Sequence, residues 1–283
     1  MEVKTYFDQD TATFTHLVWD DNSRQAAIID PVLDYNHRSG KTGTSSADAV
    51  IADLKQLGLS LKYILETHAH ADHLSSAPYI KEQCGGQTGI GAKVPIVQEA
   101  FKGVFNMSDL ATDGSQFDLL LSEGDSLEFG ELSIKVLETP GHTPACLSYQ
   151  IGDAIFIGDT FLAPSYGTAR ADFPGGDAST LYQSLERILS FPDETRLYLC
   201  HDYPEAGNDP QHLCTVAEQR KNIHLQGSGA EGFIKLRQER DAKLEMPVLI
   251  LPAIQVNIRA GQLPAAEDNG VAYLKIPLNQ IDK

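Results

Sequence analysis

The sequence predicts an α/β fold in four layers, an αββα sandwich of two β-sheets with helices on the outer faces. Two observations carry this. Runs of strands followed by an amphipathic helix occur twice along the chain, ending near residues 58 and 190. Each of these helices has one apolar stripe, which needs a single sheet face to bury against. No internal repeat or low-complexity tract competes with that reading.

Taken in order, Thr13–Trp19 reads as a strand, Asp20-Asp21-Asn22-Ser23 as a turn, and Gln25–Asp30 as the returning strand, stopped by Pro31. Residues 34–46 are polar and rich in Gly, Ser and Thr, and predict a loop. A helix then starts at Ser45 with Asp48 as its capping-box partner. Val50, Ile51, Leu54 and Leu57 form its stripe, and Gly58 ends it. Leu61–Glu66 is the next strand, followed by a helix ending near Cys84-Gly85-Gly86 and a short strand at Ile96-Val97. Hairpins are expected over Ser126–Val136, turning at Gly130, and over Cys146–Ile157, turning at Gly152-Asp153. Asp177 caps a second helix whose stripe is Leu181, Leu185, Ile188 and Leu189, with Pro192 beyond its end. Leu197–Leu199 is a buried strand leading into Cys200-His201-Asp202. After about residue 205 the pattern changes to a weak helix over Val216–Leu225, a hinge at Gly227–Ala230 and an apolar run, Val248–Leu251.

Composition narrows the function. A formal net charge of -17 over 283 residues is opposed to nucleic-acid binding. An anionic substrate would need a local cluster of Arg or Lys. No stretch is apolar enough to span a membrane, and the N-terminal residues have neither a signal-peptide nor a transit-peptide pattern, so a cytoplasmic chain is expected. Cys84, Cys146, Cys200 and Cys214 are scattered and predict free thiols.

Chemistry is concentrated in His68-Ala69-His70-Ala71-Asp72-His73, four metal-capable side chains in six residues at the end of a strand. His68 and His70, two apart in extended chain, share one side of the backbone, while Asp72 and His73 point elsewhere. The run can therefore serve one metal on one side, and a second metal or an outer shell on the other. Three further strand-end elements follow: Thr139-Pro140-Gly141-His142-Thr143, then Gly158-Asp159-Thr160, then Cys200-His201-Asp202-Tyr203. Each alone is an ordinary turn; all four in this order point to one metal site. His16, His37, His212 and His224 have no supporting pattern, and Cys146, in an alternating apolar strand, reads as a buried structural thiol.

In these elements the sequence resembles the metallo-β-lactamase-fold superfamily over roughly residues 12–205. Gly141-His142-Thr143-Pro144-Ala145-Cys146, Ala169-Arg170-Ala171-Asp172-Phe173 and His201-Asp202-Tyr203 look like its persulfide dioxygenase branch, relatives of the ethylmalonic encephalopathy protein. The resemblance implies oxidation of glutathione persulfide with O2 to sulfite and glutathione at one Fe(II) per chain. It implies His68, His142 and Asp159 as iron ligands and Tyr203 beside iron and substrate. Arg170, Arg220 and Thr143 become substrate contacts, His70, Asp72, His73 and His201 outer-shell groups, and the assembly a homodimer. Two His and one carboxylate with open positions is a set suited to oxygen-activating Fe(II), and the planar fork of Arg suits carboxylates. The same seven side chains also fit a glyoxalase II-like thiolester hydrolase with two zinc ions or mixed metals bridged by Asp159. A catalytic domain over residues 1–205 and a C-terminal extension over 206–283, packed on the same domain, are expected.

Overall fold

The computed structural model describes residues 1–204, 207–227 and 229–281. Its first half is built from β1 (Glu2–Asp8), β2 (Thr13–Trp19), β3 (Gln25–Ile29), β4 (Val32–Asn36), β5 (Lys41–Gly43), α1 (Ser45–Gln56), β6 (Ser60–Leu65), β7 (Leu74–Ser75), α2 (Ala77–Cys84), β8 (Gln87–Gly91), α3 (Val94–Val104) and β9 (Leu119–Leu121). The second contains β10 (Ser126–Phe129), β11 (Leu132–Glu138), β12 (Leu147–Ile151), β13 (Ala154–Phe156), α4 (Ala178–Leu189), β14 (Arg196–Tyr198) and β15 (Leu213–Thr215), followed by α5 (Val216–Gln219), α6 (Gly229–Asp241) and α7 (Ile250–Asn257).

One sheet runs β1-β2-β3-β6-β8-β9 and the other β10-β11-β12-β13-β14-β15, with β4, β5 and β7 forming a small third sheet. Side chains alternate across each strand. Val18, Ala27, Ile29 and Leu65 thus meet Ile134, Val136, Tyr149 and Phe156 of the opposite sheet in one buried cluster. The alternate set, Leu17, Ala26, Ile28 and Ile64, packs under Val50, Ile51 and Leu54 of α1 and Ile80 of α2. On the far side Leu181, Leu185 and Ile188 of α4 cover Ile155, Leu197 and Leu199. Each such aliphatic side chain contributes roughly 1.5–3 kcal/mol when buried. The four-layer sandwich expected from the sequence is the one observed.

Several local expectations are corrected. Ile96 and Val97 lie in α3, because Val94, Val97, Gln98 and Phe101 are buried at helical spacing and Pro95 occupies a first-turn position that tolerates it. The strand of that region lies earlier, at β8, parallel to β6. Residues 34–46 are not all loop, because Asp34–Asn36 pair antiparallel with Lys41–Gly43. At α1 the N-cap is Thr44, whose hydroxyl donates to Asp48 and accepts no backbone amide, and Asp34 instead receives the Ser45 and Ser46 amides. The helix expected over Val216–Leu225 is the single turn of α5, with a complete capping box at Thr215 and Glu218. Of the expected hinge, Ser228 lies outside the described residues, as does the boundary at residues 205 and 206; Gly229 and Ala230 belong to α6. Phe233 of α6 joins the α4 cluster, and Leu249, Ala253 and Val256 pack on Leu33 and Leu74. No helix among the described residues is long and apolar enough to cross a membrane.

Candidate metal centre and its pocket

Four strands of the two sheets end at one edge, and the chemistry sits just past those ends. β6 delivers His68, His70, Asp72 and His73; β11 delivers His142; β13 delivers Asp159; β14 delivers His201. Two glycines make the approach possible. A Cβ on Gly141, at φ +134°, would lie 2.3 Å from the Leu181 backbone at the start of α4. One on Gly158, at φ +51°, would lie 2.7 Å from the Thr67 hydroxyl.

The ligand-bearing atoms form two groups joined at Asp159. His68, His142 and Asp159 bring one donor each within 4.8 Å of one another, as do His70, Asp72, His73 and His201. Asp159 Oδ2 lies 3.8 Å from His68 Nε2 and 3.6 Å from His142 Nε2, while its Oδ1 lies 3.5 Å from His201 Nε2. Asp72 Oδ2 is 3.2 Å from the same His201 nitrogen.

Each ring is fixed by its other nitrogen. His68 Nδ1 donates to the Thr67 hydroxyl (3.0 Å), His73 Nδ1 to the Leu74 carbonyl (3.2 Å), His142 Nδ1 to the Arg170 carbonyl (2.8 Å) and His201 Nδ1 to the Ala12 carbonyl (3.2 Å). His70 is turned the other way round, with Nε2 donating to Asp30 Oδ1 at 3.0 Å. These bonds set the tautomer and leave the second ring nitrogen as a lone-pair donor. Accordingly His68 Nε2, His70 Nδ1, His73 Nε2, His201 Nε2 and Asp159 Oδ1 are buried with no hydrogen-bond partner among the described residues. Five orphaned buried polar atoms facing one another would be costly, and a divalent transition metal satisfies them. The donor set, imidazole with carboxylate, fits such an ion.

At His68 and His73 the direction of titration agrees with ligation. Burial, then the neighbouring His70 and His142, hold His68 well below its ordinary value, and burial with His70 pushes His73 down to about 3. Burial opposes charge on His70 as well, but Asp30 and Glu66 outweigh it and raise this ring.

Sequence reasoning missed Asp30. It lies past the end of β3 at φ 52°, and its carboxylate receives the Thr67 amide (2.7 Å), the Thr67 hydroxyl (2.9 Å), His70 Nε2 and, at 3.5 Å, the Cys200 thiol. An Asp before a Pro looks like a turn, so only its place just past β3, with its amide bonded to the Leu65 carbonyl, reveals it. Asn257 of α7 was also missed; its side chain bonds the backbone of the metal loop.

A cleft of about 710 Å³ opens over the site, with Asp72, His142, Asp159, Arg170, Phe173 and Tyr203 in its wall. Phe173 meets the His142 ring edge-on at 5.3 Å and carries the Arg170 guanidinium at 4.8 Å on its own ring. Tyr203 stacks on His201 and on Tyr166, with centroids 6.2 and 4.9 Å apart.

The structure places the other expected contacts unevenly. Arg170 reaches the cleft, but its guanidinium bonds both Asp172 oxygens, at 2.6 and 2.8 Å, and the Glu245 carbonyl. Arg220 is not brought to this cleft: it pairs with Asp193 at 2.9 Å and lines a separate cavity between α4 and α6. The Thr143 hydroxyl faces Cys146 Sγ at 3.1 Å instead of the cleft. Burial pushes that thiol up to about 12, which keeps it protonated, and all four cysteines are free. Arg38 and Arg240, not singled out by the sequence, also line the cleft, and neither has an ion pair among the described residues. His37, a histidine without a supporting pattern in the sequence, is exposed and lines the same mouth.

An αββα sandwich with this ligand set at one sheet edge defines a metallo-hydrolase-fold enzyme, and the chain belongs to the metallo-beta-lactamase superfamily, which it matches over residues 9–201. Its similarities lie in the ETHE1-like branch. ETHE1 from Myxococcus xanthus superposes with a TM-score of 0.74 at 31% identity, covering 93% of this chain and 100% of that one. The human persulfide dioxygenase ETHE1 is 31% identical over 93% of this chain and 91% of its own length. A probable metallo-hydrolase of Burkholderia pseudomallei is 51% identical over 99% of this chain and all of its own, and glyoxylase B2 of Dictyostelium discoideum 46% over 99% and 98%.

Proposed function

We propose that the chain is a persulfide dioxygenase that converts glutathione persulfide, O2 and water into glutathione and sulfite at one Fe(II) held by His68, His142 and Asp159. The observation that carries this reading is the coupling of that triad to residues 170–173: the Arg170 carbonyl orients His142, and Phe173 packs its ring edge. Likeness to ETHE1 proteins supports it. Ferrous iron held by two imidazoles and a carboxylate supplies open positions for a soft anionic sulfur and for dioxygen.

The residues of the chain do the rest. Arg38 and Arg240, at the mouth and without an ion pair among the described residues, hold the carboxylates of the glutathionyl group. Arg170, committed to Asp172, shapes the wall and stiffens Phe173. Phe173, Tyr166 and Tyr203 exclude water from the sulfur end. His201 Nε2, beside Asp72, takes the proton released when water completes the conversion. In this reading His70 and His73 are outer groups that keep the loop rigid, and Thr143 and Arg220 have no part in substrate binding.

A second reading, a binuclear thiolester hydrolase, is favoured by the orphaned His70 Nδ1, His73 Nε2 and His201 Nε2, a second full donor set. Anaerobic purification with metal analysis, followed by oxygen uptake with glutathione persulfide, separates the two. About one iron per chain and persulfide-dependent uptake support the dioxygenase. Two metals per chain, no uptake and fast hydrolysis of S-lactoylglutathione refute it.

A further inference from the structure

Asn257, the last residue of α7, is buried to 3% exposure, and all its side-chain bonds run to the loop that carries four of the seven donors. Its Nδ2 donates to the carbonyls of His70 (2.8 Å) and His73 (2.7 Å), and its Oδ1 accepts the Ser75 amide (2.9 Å). Those three backbone groups bracket the second half of the His68–His73 run. A loop at a sheet edge has no ladder to satisfy its peptide groups, and here one amide side chain replaces that ladder. The helix is itself fixed, with Ala253 and Val256 packed on Leu33 and Leu74. Gly261 then lets the chain leaving α7 pass the loop closely, since a Cβ there would lie 2.9 Å from the Ser75 carbonyl oxygen.

We infer that Asn257 is a positioning residue for the metal centre: it fixes the backbone of the His68–His73 run before a metal arrives, whether His68 alone or the whole run supplies ligands, and α7 thereby sets the metal affinity of a loop far away in sequence. The inference holds for one metal or two and needs neither reading of the reaction. Its physical basis is preorganisation. Without the clamp, the ordering of residues 70–75 must be supplied by the metal itself, and affinity falls by that amount. Groups one layer behind the ligands typically change metal affinity 10–100-fold when removed.

The test uses the full chain. Wild type, Asn257→Ala and Asn257→Asp are titrated with Zn(II) and, anaerobically, Fe(II) in chelator-buffered solutions, and melting temperatures are taken in excess chelator. Asn257→Asp keeps the acceptor for Ser75 but offers no donor to the two carbonyls. Gln255→Ala is the control: Gln255, on the same helix, donates to the Leu251 and Lys275 carbonyls and not to the loop. Both Asn257 variants should bind metal at least about tenfold more weakly, while Gln255→Ala lowers the chelated melting temperature without changing metal affinity. Wild-type affinity in Asn257→Ala, or equal weakening in Gln255→Ala, overturns the inference. Hydrogen exchange on chelated wild type keeps it testable should the variants not fold. The Ser75 amide should stay protected without metal, and its free exchange would overturn the proposal.

Discussion

Replacing Asp30 by Asn probes the hub behind the metal loop. The substitution retains the shape and tolerates the left-handed φ of 52°. With the amide oxygen at the Oδ1 position, the Thr67 amide and His70 Nε2 keep an acceptor, but both bonds lose their charge assistance. Buried bonds to a charged group contribute about 1.5–3 kcal/mol against about 1 for neutral ones, so the loss over two bonds is roughly 1–4 kcal/mol. Asp30→Ala is harsher. It leaves the Thr67 amide and the His70 ring nitrogen buried without partners, and removing one member of such a buried pair costs about 3–5 kcal/mol. The expected order in urea unfolding with excess chelator is wild type, Asn, Ala. In a domain of this size 1 kcal/mol shifts the melting temperature by about 2–4 °C, which puts the Asn variant roughly 2–16 °C lower. Metal affinity should fall as well, since His70 loses the partner that fixes its tautomer. An Asn variant as stable as wild type in both metal-free and loaded forms, or an Ala variant no worse than Asn, would refute the assignment of Asp30 as a charged hub.

Further outcomes follow from the same geometry. Burial, opposed by the Leu199 carbonyl, pushes His16 down to about 4. Unfolded, this ring takes up its proton near 6.5, so between those values the unfolded chain binds more protons. Its contribution is therefore complete above pH 6.5 and is lost as the pH falls toward 4, by at most about 3 kcal/mol. His16→Gln should flatten that part of the stability–pH curve, and parallel curves for the two proteins would disprove it. Gly141→Ala forces a methyl against the Leu181 backbone and should abolish metal binding through displaced His142, read by metal content of the soluble fraction. His201→Ala should retain iron if the site holds one metal, whereas loss of metal there signals the two-metal arrangement. Arg38→Ala and Arg240→Ala should each raise KM severalfold with little change in kcat, the mark of binding made equally in ground and transition states.

The sandwich was legible because its strands alternate cleanly and its main helices carry single stripes, as at Leu181, Leu185 and Ile188 on α4. The cluster of metal-capable side chains was legible because four strand ends each deliver at least one of them. Features set by tertiary partners were not. The β-branched residues around Ile96 suggest a strand, and only the burial of Val94, Val97 and Phe101 on one face makes them helical. Arg220 has a sequence context no different from that of a substrate contact, and Asp193, 27 residues away, claims it. Asp30 and Asn257 act on residues 37–40 and 182–187 positions distant, where no local spacing can point.

The contact of Asn257 with the metal loop also bears on how the enzyme is made. Synthesis runs from the N-terminus, so the His68–His73 loop leaves the ribosome long before its clasp, 187 residues downstream of His70. His142, Asp159 and His201 follow in that order. A metal ion met by the nascent chain thus finds only part of its ligands, on a loop that has Asp30 behind it but not yet its clasp. Selection of the ion belongs to the finished fold, after the last helix has docked, and a metal acquired earlier can be exchanged until the clasp closes.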